Sequence, residues 1–88
     1  MRGIITVLGH DRVGIIAEVC AYLSAKRINI LDISQTIVQG FFNMLMIVDL
    51  PAGTDFERTV KELRSLGGAM GLEIKLQRED IFEAMYRV

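Results

Sequence analysis

Short β-branched runs alternate along the chain with apolar residues spaced for a helix, and the order of these two patterns predicts the elements. Gly3-Ile4-Ile5-Thr6-Val7-Leu8 is short, apolar and bounded by glycine, which predicts a buried strand ending at Gly9. After the linker Gly9-His10-Asp11-Arg12-Val13-Gly14, the residues Ile16, Val19, Cys20 and Leu23 fall on one side of a helix, with Ala17, Glu18, Ala21, Ser24 and Ala25 opposite. Lys26 and Arg27 meet the negative end of the helix dipole and set its stop near Arg27. Over residues 28–38, Leu31, Ile33 and Ile37 alternate with Asp32, Ser34 and Thr36, the pattern of a long strand with one polar face. Gln39-Gly40 turns the chain into a strand over 41–50, in which Met44, Met46 and Val48 face one way and Leu45 and Ile47 the other. Both of its faces need cover.

Pro51-Ala52-Gly53 breaks that strand, and Thr54-Asp55-Phe56-Glu57 fits a capping box with Thr54 accepting from the helix start. Phe56, Val60, Leu63, Gly67 and Met70 line the inner side of the second helix, while Arg58, Lys61, Glu62 and Ser65 stay wet. Gly67-Gly68 and Gly71 let it end. Residues 72–77 alternate apolar and polar as a strand with one covered face, and Ile81, Phe82, Met85 and Tyr86 predict a short amphipathic helix at the end. The order is βαββαβ plus a tail, an α+β class chain. Two split βαβ units fold most simply as a ferredoxin-like sandwich, a four-stranded antiparallel sheet with both long helices on one face. The other face is left for the tail or a partner subunit to cover.

Eighty-eight residues make one domain, residues 1–88, with no linker or low-complexity stretch inside it. A hydrophobic share of 51% is more than so small an interior can hide, so an oligomer is expected, a homodimer first of all. Ten Lys and Arg against eleven Asp and Glu leave a net charge of −1 with no basic cluster, which argues against nucleic acid. The apolar runs fall short of a membrane span, and residues 4–8 are too short for a secretory signal, so a cytoplasmic location is expected. The single Cys20, inside an apolar helical stripe, reads as a buried packing thiol rather than a nucleophile. With only His10 beside it there is no soft ligand set for zinc, and neither a metal nor a cofactor is expected.

Candidate chemistry concentrates in Gly9-His10-Asp11-Arg12-Val13-Gly14-Ile15, between the first strand and the first helix. Unpaired N–H groups at the helix start, with the positive end of the dipole, suit a small carboxylate, and Gly14 lets it come close. Asp11 suits a ligand ammonium; alternatively Asp11 is simply the N-cap of the helix, with Arg12 solvated. His10 reads as an ordinary loop residue. Asp32, Ser34, Gln35 and Thr36 form a polar stripe that either lines a pocket or supplies an edge strand with polar groups, the latter being favoured.

These residues carry a resemblance. Gly9-His10-Asp11-Arg12-Val13-Gly14-Ile15-Ile16-Ala17, Asn29 to Thr36, Gly40-Phe41-Phe42 with Met44, and the ending Ile81-Phe82-Glu83-Ala84-Met85 resemble the ACT domain in its stand-alone form, over nearly the whole chain. The resemblance implies a regulatory fold in a side-by-side dimer, with a small effector bound where the first loop of one subunit meets the second strand of another. Carried over to this chain, the ligand contacts are Asp11, Arg12, Val13, Gly14 and Ile15 of the loop and Asn29 and Ile30 of the strand. Asn29 has a second reading, a turn residue bonding its own backbone. Many amino-acid-binding members have Asn where Asp11 stands, Pro where Val13 stands and some His where Gly9 stands, so the ligand's identity does not carry over.

The function expected is a non-enzymatic, amino-acid-responsive module that acts as a homodimer on a further protein in trans. The alternative is a ligand-free dimerisation or protein-interaction module. A small acylphosphatase would share the topology, but its Arg-and-Asn phosphate site is not recognisable, and Arg12 with Asn29 is a thin substitute.

Overall fold

The computed structural model describes residues 1–80, which run β1 (Arg2–His10), α1 (Ile15–Ala25), β2 (Asn29–Val38), β3 (Phe41–Asp49), α2 (Phe56–Met70) and β4 (Leu72–Arg78). All three strand pairings are antiparallel, in the order β2-β3-β1-β4. This is the ferredoxin-like βαββαβ arrangement expected from the sequence. The expected helix at 81–86 lies outside the described residues. Among those residues no helix is long and apolar enough to cross a membrane.

The register decides which side chains meet the helices. Ile5 stands opposite Met46 and Leu76, and Val7 opposite Met44 and Ile74, so these six share one face. They are buried together with Phe42 and Val48 beneath Ile15, Val19 and Leu23 of α1 and Leu63 and Met70 of α2. Burying each such side chain contributes about 1.5–3 kcal/mol, so this row holds the helices on the sheet. The opposite face carries Ile4, which is buried, and Leu45 and Ile47, which are half-buried, as the two-sided pattern of β3 requires.

Several local details differ from the sequence reading. The buried stripe of α1 is Ile15, Val19 and Leu23, one step round from the expected set: Ile16 is exposed and Cys20 only half-buried. That helix stops at Ala25, with Lys26 as its C-cap and Arg27 turning the chain at a φ of 58°. The N-cap of α2 is Asp55, not Thr54; Asp55 accepts from the Arg58 amide at 3.2 Å, while the Thr54 hydroxyl donates back to the Pro51 carbonyl.

Gly67 and Gly68 do not end α2, which runs on to Met70 before Gly71 caps it. Two interior helix glycines cost about 1 kcal/mol each relative to alanine, and only one has a reason among the described residues. A Cβ on Gly67 would lie 2.8 Å from the Leu72 carbonyl oxygen and 2.9 Å from the Ile74 side chain, so glycine lets α2 press against β4. A Cβ on Gly68 would meet none of the described residues within 4 Å.

The two helices are tied by a polar hub. The Tyr22 hydroxyl of α1 donates to Glu62 of α2 at 2.8 Å, and Lys26 and Arg58 approach the same carboxylate at 3.5 and 3.6 Å. Burial, and then the bond to Glu62, raises the Tyr22 pKa, while the tyrosine bond and the two cations hold Glu62 below the ordinary glutamate value.

Two outcomes are expected. In denaturant titration Gly67→Ala loses about 1 kcal/mol or more through the backbone clash, whereas Gly68→Ala gains up to about 1 kcal/mol. A depressed carboxylate stabilises the fold above its unfolded pKa and ceases to do so as pH falls through the folded one. The stability difference between wild type and Tyr22→Phe should therefore be present at neutral pH and shrink below the ordinary glutamate value of about 4.3. A difference independent of pH would show that the hydroxyl and Glu62 are not coupled.

Candidate functional site

β1 runs through Gly9 to His10, which shortens the connection to α1 to residues 11–14. His10 is thus a strand residue, its ring stacked on Phe41 with centroids 4.7 Å apart. Three ties hold the loop: that stacking, the Asp11 amide donating to the Gly40 carbonyl at 2.8 Å, and the Arg12 guanidinium reaching the Met70 carbonyl at 3.4 Å. Arg12 is therefore a brace between the loop and the end of α2 and not merely a solvated side chain. Val13, at the tip, is 97% exposed.

The N-cap of α1 is Gly14, at φ 93° and ψ 0°, with no side chain bonded to the helix start. The reading of Asp11 as the cap does not hold. Gly14 occupies a left-handed conformation that an L side chain would strain, and its carbonyl takes the first helical bond from Glu18. The amides of Ile15, Ile16 and Ala17 stand in the first turn without a side-chain cap, at the positive end of the dipole.

This loop faces a groove of about 240 Å³ against β2, whose walls include Asp11, Gly14 and Ile15 on one side and Gln35, Ile37 and Phe42 on the other. Gln35 is the residue that sequence reasoning placed wrongly. The register sets Ile33, Gln35 and Ile37 opposite Met46, Met44 and Phe42 on the helix side, while Asp32, Ser34 and Thr36 lie on the far face opposite Ile47, Leu45 and Asn43. Gln35 leaves the polar stripe and enters the groove. Period-two parity with Ile33 and Ile37 was the signal that could have found it. Chemically, the groove offers amide donors and a dipole for a carboxylate, Asp11 for an ammonium, the Gln35 amide for either, and an apolar wall.

Asn29 and Ile30 are not brought to this groove within one chain. Asn29 stands opposite Asp49, which pairs with Arg2, whereas the loop leaves from His10 at the other end of β1. At about 3.4 Å per residue the two ends are roughly 27 Å apart. Ile30 faces the helix side opposite Val48 and packs on the core. The rest of β2 is exposed, including Ile33 at 44%, Ile37 at 55% and Val38 at 62%. Among the described residues no three His, Cys, Asp or Glu side chains cluster as metal ligands would.

Comparison with known proteins agrees with the geometry. The ACT domain family model matches residues 3–77. A UPF0237 protein of Bifidobacterium longum is 54% identical over 88 residues, spanning 99% of this chain and 98% of that one. An ACT domain protein from Streptococcus pneumoniae has the same fold with a TM-score of 0.85 at 38% identity, covering 98% of both chains. A candidate glycine cleavage system transcriptional repressor superposes with a TM-score of 0.77 at 26% identity, covering 86% of this chain and 44% of its own. With an 11–14 loop opening the first helix beside a long edge strand, and relatives that match it end to end, the chain belongs to the ACT domain family of regulatory small-ligand-binding modules.

Proposed function

We propose that the protein is a non-enzymatic sensor of a small amino-acid-like effector, acting as a cytoplasmic homodimer that signals to a further protein in trans. The observation that carries this reading is the groove in which the uncapped start of α1 and Asp11 meet Gln35 and Ile37 of β2. An α-amino acid has one group for each end of that site: its carboxylate for the amides of Ile15 and its neighbours, its ammonium for Asp11. Gly14 keeps the approach open, since a Cβ there would meet no atom within 4 Å but would be strained by the backbone.

The dimer follows from β2. A ten-residue edge strand with apolar side chains exposed along it is an association site unless covered. Antiparallel pairing of β2 with the same strand of a second copy, about a two-fold axis near Ile33 and Ser34, sets the Asn29 and Ile30 end of one strand beside Val38 of the other. Val38 adjoins the turn that holds Asp11, so the second copy's Asn29 and Ile30 would reach the loop that this chain's own cannot. Val13, exposed at the loop tip, then packs against the added strand. The resemblance to a candidate transcriptional repressor supports a regulatory output. The exposed edge by itself also suits the second reading, a dimerisation module without a ligand.

Two measurements test this. In a thermal-shift screen of the twenty amino acids and common metabolic carboxylates, at least one ligand should raise the melting temperature, and Asp11→Ala and Gln35→Ala should each abolish the shift while the variants melt near wild type. Silence across the screen, with an intact dimer, selects the dimerisation module. In sedimentation equilibrium the wild type should be dimeric at micromolar concentration and Ile33→Lys monomeric; a wild-type monomer of about 10 kDa would refute the β2 interface.

A further inference from the structure

The other edge of the sheet carries a second surface. Among the described residues β4 has β1 on one side and no strand on the other. A groove of about 410 Å³ runs along that edge between α2 and β4, lined by Val60, Arg64 and Gly68 of the helix and by Ile74, Lys75 and Leu76 of the strand. Val60, Arg64 and Gly68 are spaced by four and form one stripe of α2. Gly68 weakens the helix, and nothing among the described residues requires it, because a Cβ there would meet none of their atoms within 4 Å. A neighbour approaching the helix backbone at that point would require it.

The sequence of β4 says which neighbour fits. Leu72-Glu73-Ile74-Lys75-Leu76 is complementary to itself when reversed about Ile74. We infer that β4 pairs antiparallel with β4 of a second copy, about a two-fold axis through Ile74, forming an interface separate from the β2 edge. In that register Glu73 of each copy faces Lys75 of the partner subunit, and Leu72 faces Leu76 of the partner subunit on the helix side. Pairing centred on Glu73 or on Lys75 instead sets like charges directly opposite, so the charges select the Ile74 register. Glu73 and Lys75 already lie on one face, 3.7 Å apart at Oε1 and Nζ and both largely exposed, so they can exchange partners without unfolding anything.

Gly68 sits where this geometry needs it. Its neighbour Gly67 packs directly on Ile74, so the axis through Ile74 passes beside this turn of α2. The two copies of α2 then flank one another most closely at Gly68, where a missing Cβ shortens their approach. Arg64 lies one turn away from the axis, and in an antiparallel helix pair its two copies point to opposite sides of it.

Sedimentation equilibrium of the full chain in low salt, over micromolar to millimolar concentration, tests the interface. Wild type should associate beyond the β2 dimer as concentration rises toward millimolar, and Ile33→Lys, monomeric at micromolar concentration with its β2 edge blocked, should form a dimer in the millimolar range. Lys75→Glu and Glu73→Lys should each weaken that association about tenfold, and the double exchange Glu73→Lys with Lys75→Glu should restore it. Gly68→Leu should weaken it while melting no lower than wild type in dilute solution. Equal association of wild type and both single reversals would overturn the inference, as would a double exchange that melts like wild type yet stays dissociated. If Ile33→Lys remains monomeric throughout, the β4 interface is refuted and the β2 interface stands.

Discussion

A strand hydrogen-bonded on both sides cannot slip in register without breaking two ladders at once, and β1, with β3 beside it, is such a strand here. A slip of one residue would turn Ile5 and Val7 away from the helices and bring Ile4 and Thr6 beneath them. The register of β1 therefore fixes which side chains form the core and, through it, where each helix rests. It also fixes the site. The loop that opens α1 leaves from the end of this doubly paired strand and is tied at once to the β2–β3 turn by the Asp11 amide. The base of the loop is thus held by the sheet, while Val13 at its tip stays in solvent.

The order of elements was legible in the sequence because each has a strong period: two-fold alternation in the strands, near 3.6 in the helices. What was misread turns on choices that local pattern leaves nearly balanced. Thr54 and Asp55 both offer an oxygen to the first turn of α2, and the chain uses Asp55. Ile15 and Ile16 are adjacent, and the stripe of α1 starts at Ile15 because Gly14 caps the helix immediately before it. Gly67 and Gly68 look like a stop on propensity, but contact with Leu72 and Ile74 carries the helix through them. At the site, the loop and its glycine were legible from composition and spacing. The groove was not, since Gln35 was grouped with its polar neighbours Ser34 and Thr36 and not with Ile33 and Ile37, whose face it shares.

Placement of Asn29 shows a different limit. Its chemistry is readable from its side chain, but its distance from Asp11 is a property of topology. In an antiparallel sheet a strand entered after one helix begins at the end opposite to where that helix was entered, so Asn29 starts β2 far from the loop. No reading of residue types gives that separation. It follows only once the pairing of β2 with β3, and of β3 with β1, is known.

On the proposed reading, the separation is what would make the module responsive. A groove complete within one chain would bind its effector without regard to assembly. One that draws Asn29 and Ile30 from a second copy links the two equilibria, and thermodynamic reciprocity requires the effector to tighten the dimer by the same factor that dimerisation tightens the effector. The edge strand then has two duties, one wall of the groove on its helix side and the association surface along its free backbone. Exposed apolar residues on β2 are a hazard for an isolated monomer; in a domain whose ligand is read through its assembly state, they are the element on which the ligand acts.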